Sequence, residues 1–314
     1  MHYGEAEIAR QLGVLRPGVP IRTIEYLGEG DFSRAFLING GEVVRVAKHE
    51  QAARALEREA CLLPSIAAAL PFAIPAPVAF AVAGEPGLTR FGVYAKVAGR
   101  ELSPEEWQAL SPERRQELAR QLGEFLARLH ALPLDRARSC GVESFDHASL
   151  AAALRERLAM DEADMLPAGL RVDIDAALFT FLVRDAHDIQ PVLLNADISP
   201  EHVLVDGSAS CITGLIDWGD VHIGDPAREF IYVYEDWDRP FLFEVLQAYG
   251  GLDEQFVRRV YVHYLIEQVD WTLNAADEGR PDDFEAGVGA IDEVLRELRA
   301  AAARTETTMH DAGS

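Results

Sequence analysis

Two short apolar runs in the second half of the chain each lead to a carboxylate. LLNADISPEHVLVD spans residues 193–206, and IDWGD spans residues 216–220. Asp197 follows one strand-like run and Asp217 ends the other. A carboxylate at the end of a buried strand costs free energy unless a neighbouring group compensates its charge. Any fold of this chain has to supply that compensation.

The turn between the two runs predicts how the carboxylates meet. Residues 206–208 read Asp-Gly-Ser between VLV and ITGLI, which is typical of a β-hairpin. Such a hairpin would bring Asp197, His202 and Asp217 to one place. Two carboxylates there repel each other unless a cation such as Mg²⁺ lies between them. The alternative is that Asp197 caps a turn and Asp217 caps a helix.

The charge balance narrows the class of partner. The chain has 314 residues, with 52 acidic and 29 basic side chains and a formal net charge of −23. Nucleic acid binding needs clustered Lys and Arg, so this balance argues against a nucleic acid partner. A cationic small molecule would instead be attracted to the surface. The alternative is that the acidic surplus only keeps the protein in solution.

The cysteines and the apolar stretches bear on location. Cys61, Cys140 and Cys211 are an odd, widely separated set without a CxxC pair. This usage predicts free thiols in a reducing cytoplasm, and neither a zinc site nor a disulfide framework. MHYGEAEIARQLG lacks the apolar region of a signal peptide, and no apolar stretch reaches the roughly 18 residues of a membrane span. We therefore expect a cytoplasmic protein with no membrane partner.

The first hundred residues carry strand and turn signals around one long helical pattern, after a short helix at residues 5–15. Three β-rich runs come next, IRTIEYLG, SRAFLING and EVVRVAK. They are followed by a helix at residues 50–69, a proline-punctuated connector, LPFAIPAPVAF, and a further strand, FGVYAKV. We expect these strands and the long helix to form a small α+β lobe.

The rest of the chain is mostly helical in pattern. SPEEWQAL and SPERRQELARQLGEFLARLHAL each begin with Ser-Pro followed by Glu, which is favourable chemistry for a helix start. Further helices are predicted at residues 147–160 and 172–185, and from about residue 226 to the end.

Two segments of the β-rich part contain candidate phosphate-binding groups. Gly28, Gly30 and Ser33 lie on a turn between two predicted strands, where backbone N–H groups could cap a phosphate. A plain hairpin turn is the alternative. In the next segment, Arg45 or Lys48 on a strand could pair with a helical Glu and position nucleotide phosphates. Two exposed basic residues at a strand end are the alternative there.

The order of these features resembles a known family. The Gly-bearing turn, the basic strand with its helical Glu, YAKVAG, the Asp197 loop and IDWGD follow one another as in the aminoglycoside and macrolide phosphotransferases. These antibiotic kinases have a protein-kinase-like fold. The resemblance covers about residues 20–290, and DFSRAF, VAKHE, PFAIPAP and FIYVYED most resemble the aminoglycoside 2″-phosphotransferases. It implies an α+β, two-lobed fold with a small β-rich N-lobe (1–97) and a larger, mainly helical C-lobe (98–314).

The resemblance also implies roles for single residues. Asp197 matches the catalytic Asp, Asp217 matches the metal-binding Asp, and His202 occupies the position of a second metal ligand that is usually Asn. The helical Glu is then Glu59, and its spacing of fourteen residues favours Arg45 over Lys48 as the phosphate-binding cation, although relatives have Lys there.

YAKVAG resembles the segment between the lobes of a kinase. The carbonyl of Ala95 and the amide of Val97 would hold the purine of ATP or GTP, with Tyr94 at the back of the pocket. The Asp loop departs from the family, because it begins Asn195-Ala196 where the family has His-Gly or His-Asn. Placement of the catalytic Asp would then rely on Asn195.

The late helices carry recurring acidic and aromatic residues that suit a polyamine substrate. The candidate acceptor-binding residues are Glu235, Asp236, Glu267, Asp270 and Trp271. A solvated acidic face is the alternative.

Together with these residues, the resemblance implies a Mg²⁺-dependent phosphotransferase. It would move the γ-phosphoryl group of ATP or GTP to a hydroxyl of an aminoglycoside antibiotic and so confer resistance. We expect a monomer or a weak homodimer. A macrolide 2′-phosphotransferase or another small-molecule kinase is the alternative within the same class, and a nucleotide-binding pseudokinase is the alternative from another class.

Overall fold

The computed structural model describes residues 4–81, 90–160 and 165–311, with the backbone alone for residues 302–311. The described strands are β1 (Ile24–Glu29), β2 (Ser33–Ile38), β3 (Glu42–Ala47), β4 (Ala76–Ala81), β5 (Phe91–Ala95), β6 (Val192–Leu194), β7 (Val203–Val205), β8 (Ile212–Leu215) and β9 (His222–Gly224). The described helices are α1 (Glu5–Leu15), α2 (Glu50–Ile66), α3 (Pro104–Ala109), α4 (Pro112–His130), α5 (Leu134–Ser139), α6 (His147–Leu158), α7 (Ala168–Arg184), α8 (Ile231–Glu235), α9 (Arg239–Tyr249), α10 (Glu254–Asp277) and α11 (Pro281–Asp311).

The chain forms two compact units. The first comprises the residues up to Glu143 together with Asn195–His222, and the second comprises Ser144–Leu194 and the residues from Ile223 onwards. A β-rich beginning followed by mostly helical chain agrees with the predicted α+β class. The predicted lobe boundary after residue 97 stays a prediction. Within the described residues, no helix is long and apolar enough to cross a membrane.

A five-stranded antiparallel sheet with the order β1-β2-β3-β5-β4 organises the start of the first unit. Val44 and Val46 on β3 are buried in one core with Ile8 and Leu12 of α1. Since side chains alternate along a strand, Arg45 points to the opposite face. The sheet thereby separates the apolar core under α1 from the half-buried guanidinium of Arg45.

The proline-punctuated segment was partly misjudged from the sequence. LPFAIPAPVAF was expected to be a connector, but its last residues belong to β4, which pairs with β5 at the edge of the sheet. Proline is tolerated at an edge because one side of the strand needs no hydrogen-bond donor. Pro77 in β4 therefore does not prevent strand formation.

The predicted hairpin is present as β7 and β8, which pair antiparallel. Two neighbouring segments pair with its strands: Ala73 forms a bridge to Gly214 of β8, and Arg100 forms a bridge to Val205 of β7. A Cβ on Gly214 would lie 2.9 Å from the Ala73 carbonyl oxygen and 2.2 Å from Val97 Cγ1. Glycine is therefore required where the segment after β5 crosses β8.

The expectation that all three cysteines are free was wrong for two of them. Cys61 on α2 and Cys140 after α5 form a disulfide, with Cα atoms 5.5 Å apart and a sequence separation of 79. An odd count and a wide spacing carry no information about which helices lie side by side. Cys211 is free and exposed.

Two buried carboxylates of the helical second unit are paired with basic side chains. The Asp225 carboxylate accepts hydrogen bonds from Arg259 Nε at 3.0 Å and lies 2.7 Å from His263 Nε2. Burial alone would raise the pKa of Asp225, but His263 and Arg259 lower this pKa to about 2. A second buried carboxylate, Asp185, pairs with Arg258. Each buried charge thus has a partner, as a folded interior requires.

Helices α10 and α11 approach closely at a glycine, and this contact is testable. A Cβ on Gly287 would lie 2.0 Å from Thr272 Oγ1, whereas a Cβ on Gly289 would meet nothing within 4 Å. Thr272 is fully buried and stiff at Cβ, so α11 would have to shift. We expect Gly287→Ala to lower the free energy of unfolding by about 1–3 kcal/mol.

The matched control is Gly289→Ala on the same helix, which should raise the free energy of unfolding by about 0.5–1 kcal/mol, because alanine has the higher helix propensity. Urea unfolding of the two variants measures the difference. Equal effects would contradict the close approach at Gly287.

Candidate active site

In the first unit, Arg45 lies at the centre of a cluster of charged side chains that includes Glu59 and Asp217. Its Nη1 donates to both carboxylate oxygens of Glu59, at 3.0 and 2.9 Å, and its Nη2 donates to Asp217 Oδ1 at 3.2 Å. Its Nε donates to Ser33 Oγ at 3.2 Å. Lys48 instead donates to the Gly30 carbonyl at 2.9 Å. The cation that pairs with the α2 glutamate is therefore Arg45.

The burial of this cluster determines its charge states. Burial raises the pKa of Glu59, and although Arg45 opposes this effect, the pKa of Glu59 is about 6. Burial also raises the pKa of Asp217, but the charges of Arg45 and His202 outweigh it and lower that pKa. Arg45 thus keeps Asp217, the more exposed carboxylate, ionised. It is shared with Glu59, which is fully buried.

Asn195 connects the two loops that the sequence singled out. Its side-chain amide donates to the Asp217 carbonyl at 2.7 Å, and its side-chain oxygen accepts from the Asp197 amide at 3.1 Å. Asn195 is fully buried. The backbone is left-handed at two positions beside these bonds, with φ of 70° at Ala196 and 51° at Asp217. Such conformations cost free energy and persist only where the surroundings fix them, as Asn195 does here.

His202 faces Asp197 with one ring nitrogen. Its Nδ1 lies 3.2 Å from Asp197 Oδ2 and 2.9 Å from Ser199 Oγ. Burial alone would lower the pKa of His202, but the hydrogen bond and charge of Asp197, together with the charge of Asp217, raise it to about 9. The ring is therefore an imidazolium at neutral pH. The charges of the two carboxylates are therefore compensated by nearby cations, His202 beside Asp197 and Arg45 beside Asp217.

Asp217 fits a Mg²⁺ ion that takes most of its ligands from phosphates. In the part of the chain that is described, no three His, Cys, Asp or Glu side chains form a ready-made metal site. Mg²⁺ commonly uses one or two carboxylates and completes its shell with phosphates and water. Arg45 and the Gly219 amide both bond Asp217 Oδ1. The other oxygen has no hydrogen bond among the described residues and suits this mode of binding.

His202 is less suited to hold the ion in its present state. A protonated imidazole has no lone pair to offer, so His202 would first have to lose its proton. Its predicted role as a metal ligand stays a prediction.

The glycine-bearing turn between β1 and β2 lies beside Arg45. Gly28 sits at a bulge in the strand pairing with φ of 150°, a conformation that favours glycine. The Gly30 amide donates to the Ser33 carbonyl and closes the turn at 3.1 Å. Ser33 is buried and faces the Arg45 guanidinium. Of the three predicted turn residues, Ser33 thus contacts Arg45, and contact of all three with phosphate stays a prediction.

The segment proposed to hold the purine continues directly from the sheet. Ala95 is the last residue of β5, and Val97 follows two residues later. Tyr94 is buried and its ring lies over Gly92, where a Cβ would come within 2.6 Å of the ring. Burial and the charge of Glu59 raise the pKa of Tyr94 well above its ordinary value. Tyr94 therefore stays neutral against the Arg45–Glu59 pair.

Three of the predicted acceptor-binding residues lie near one another in the second unit. Glu235 accepts hydrogen bonds from Tyr264 and Gln268 on α10, each at 3.2 Å. Burial, then the charges of Asp236 and Glu267, raise the pKa of Glu235. A carboxylate that accepts hydrogen bonds from neutral donors and is flanked by two acids attracts a cation.

Glu267 and the two remaining predicted acceptor residues, Asp270 and Trp271, already have cationic neighbours. Arg228 pairs with Glu267 at 2.5 Å, and Arg157 pairs with Asp270 at 3.4 Å. Trp271 is 37% exposed, with the Arg280 guanidinium 5.8 Å from its ring centre. The sequence analysis missed both Arg228 and Arg157, because only the fold shows which helix each one faces.

Beside Glu235 is a cavity of about 280 Å³. Its walls combine aromatic rings with carboxylates, and the lining residues are Tyr234, Glu235, Trp237, Arg239, Tyr264, Ala290, Glu293 and Glu297.

The charge on His202 can be tested directly. Because the folded pKa of about 9 lies above the ordinary 6.5, protonation of His202 stabilises the folded state. This contribution is complete below pH 6.5 and is lost as the pH rises through about 9. NMR titration of the imidazole should give a midpoint near 9, and Asp197→Asn should lower the midpoint. A midpoint at or below 6.5 in the unaltered protein would contradict the ion pair.

Comparison with known proteins identifies the family. A model of the phosphotransferase enzyme family matches residues 23–264. The solved GDP and kanamycin complex of APH(2″)-IIia is 27% identical, with a TM-score of 0.82 over 93% of this chain and 99% of that one. The GDP complex of wild-type aminoglycoside 2′-phosphotransferase-IIIa is 26% identical, with a TM-score of 0.83 over 94% of this chain and 99% of that one.

Two further matches are weaker, one because of its lower identity and the other because it is short. Macrolide 2′-phosphotransferase MphH from Brachybacterium faecium is 22% identical, with a TM-score of 0.67 over 92% of this chain and 98% of that one, and this likeness concerns the fold alone. The uncharacterised protein YcbJ of Bacillus subtilis (strain 168) is 31% identical over 62 residues, which are 19% of this chain and 20% of that protein. The chain thus matches about a fifth of the length of this relative. The family model, in contrast, covers most of the chain, and the resemblance inferred from the motifs is confirmed: the chain belongs to the phosphotransferase enzyme family and has its protein-kinase-like α+β fold.

Proposed function

We propose that the protein transfers the γ-phosphoryl group of GTP or ATP to a hydroxyl of an aminoglycoside and thereby confers resistance. The observation that carries the proposal is the convergence of Asp197, Asp217 and Arg45 in the first unit. Arg45 bonds Asp217 directly, and Asn195 bonds the backbone of both aspartate loops. Phosphoryl transfer depends mainly on positioning and charge compensation, which this arrangement supplies.

In the proposed reaction Asp197 receives the proton of the acceptor hydroxyl. The acceptor oxygen forms a bond to the γ-phosphorus while the bond from that phosphorus to the β,γ-bridging oxygen breaks. The nucleoside diphosphate leaves with the electron pair of the broken bond. Asp197 lies 3.2 Å from the His202 ring, which orients the carboxylate before the acceptor arrives.

Arg45 would hold phosphate oxygens from the other side. Its guanidinium is planar, always charged and able to bond several oxygens, so it can keep Glu59 and still contact a phosphate. Gly28, Gly30 and Ser33 would cover the phosphates with the turn between β1 and β2, while Ala95 and Val97 would bind the purine through their backbone. A Mg²⁺ ion on Asp217 would neutralise charge on the β- and γ-phosphates.

The acceptor is proposed to bind through the second unit. Glu235 is the carboxylate best suited to an ammonium group, because its hydrogen-bond donors among the described residues, Tyr264 and Gln268, are neutral. Asp236, Glu267, Asp270 and Trp271 would complete the binding surface. Aminoglycoside complexes of relatives support this class of acceptor, since kanamycin is bound in a relative that is 27% identical. The proposal places the enzyme in the cytoplasm as a monomer or weak homodimer.

The test is consumption of GTP and ATP with a panel of aminoglycosides, macrolides and choline. We expect turnover with at least one aminoglycoside and none with macrolides. Asp197→Asn should lower kcat roughly 10²–10⁴-fold, since it removes the proton acceptor. The control is Asp135→Asn, which alters an exposed carboxylate on α5 and should leave kcat unchanged.

Turnover with macrolides alone would replace the acceptor class. Nucleotide binding without turnover on any acceptor would favour a sensor over an enzyme. Full activity of Asp197→Asn would contradict the assignment of the catalytic base.

A further inference from the structure

The disulfide lies on the helix that carries the partner of Arg45. Glu59 and Cys61 are two residues apart on α2, so their side chains point about 200° apart around the helix axis. Glu59 faces Arg45 on the sheet. Cys61 therefore faces away from the sheet, toward α5, where it is bonded to Cys140. The helix is held between the sheet on one side and a covalent link on the other.

The same end of α2 has a weakness in its own hydrogen bonding. Pro64 lies inside the helix, and proline has no N–H to donate to the carbonyl of Ala60. A second link from α5 supports this place, because Arg136 Nη2 donates to the Cys61 carbonyl at 3.1 Å. The position of the end of α2 thus depends partly on α5.

The cross-link also spans the segment proposed to bind the purine. The loop that it closes, from Cys61 to Cys140, contains β4, β5, α3 and α4, and therefore includes Ala95 and Val97. Any opening about this segment that separates α2 from α5 would stretch the bond. The disulfide prevents this motion for as long as it is intact.

We propose that the Cys61–Cys140 disulfide is a redox-sensitive tether that positions Glu59, and through it Arg45, for binding nucleotide phosphates. The inference rests on the proposed function, because it assumes that Arg45 binds phosphates. Both sulfur-bearing residues are half-buried and within reach of a small reductant. A dithiol supplies two electrons and two protons: the protein S–S bond breaks, Cys61 and Cys140 become thiols, and the reductant becomes a disulfide.

Loss of the tether should weaken nucleotide binding rather than unfold the protein. With α2 freed from α5, Glu59 no longer holds the guanidinium of Arg45 in a single place. We expect reduction to weaken nucleotide binding about tenfold, within the range usual for coupling between sites. The KM for the acceptor should change little, since Glu235 and its neighbours lie in the second unit.

The experiment uses the full chain with Cys211→Ser, so that Cys61 and Cys140 are the remaining thiols. Fluorescent GTP and ATP analogues report affinity in the oxidised protein, after dithiothreitol, and after reoxidation with oxidised glutathione. The expected result is weaker binding after reduction and recovery after reoxidation. Alkylation and mass measurement give the redox state of each sample.

A second variant separates positioning from general stability. If the tether acts through Glu59, reduction of the protein carrying Glu59→Gln and Cys211→Ser should change affinity less than twofold. A full tenfold loss in that background would overturn the proposal in favour of a purely structural cross-link. Hydrogen exchange gives an independent reading: reduction should accelerate exchange around residues 57–66 and leave β7 and β8 unchanged, whereas acceleration throughout would also overturn it.

The remaining outcomes distinguish this proposal from the proposed function. Equal nucleotide affinity in both redox states overturns the tether and leaves the function intact. Thiols at Cys61 and Cys140 that persist in oxidised glutathione also overturn the tether alone. Absence of nucleotide binding in either state contradicts the proposed function and the tether together.

Discussion

The guanidinium of Arg45 lies between two carboxylates that come from distant parts of the chain, Glu59 on α2 and Asp217 after β8. Glu59 is fully buried, and a buried charge without a partner typically costs several kcal/mol. The register of β3 therefore has to present Arg45 to α2, and the hairpin of β7 and β8 has to deliver Asp217 to the same cation. The sheet, the helix and the hairpin are thus arranged around one ion-pair network.

A second constraint acts on the backbone of the aspartate loops. Asn195 bonds both loops at once and fixes the left-handed conformations at Ala196 and Asp217. An amide suits this role because it can donate to the Asp217 carbonyl while it accepts from the Asp197 amide. The resemblance placed a histidine at this position in the family, and the structure shows how asparagine supports the same two loops. Together, Arg45 and Asn195 connect the side chains and the backbone of one site.

Strong local patterns predicted much of this arrangement. The β-hairpin followed from its turn residues, and the helices followed from their periodicity and caps. Long-range neighbours could not be predicted from spacing. The Cys61–Cys140 pair, the cations Arg228 and Arg157, and the imidazolium state of His202 depend on which helices and loops lie side by side. The edge strand β4 was missed because Pro77 argues against a strand. The sequence does not show that this strand lies at the edge of the sheet, where proline is tolerated.

The central claim is that Arg45 binds nucleotide phosphates while it remains paired with Glu59. A crystal structure with Mg²⁺ and a non-hydrolysable GTP or ATP analogue tests it most directly. The account predicts a phosphate oxygen within hydrogen-bond distance of the Arg45 guanidinium, the Glu59 carboxylate still on the same guanidinium, and Asp217 bound to the ion. Phosphates held by Lys48, with Arg45 bonded only to Glu59 and Asp217, would contradict it.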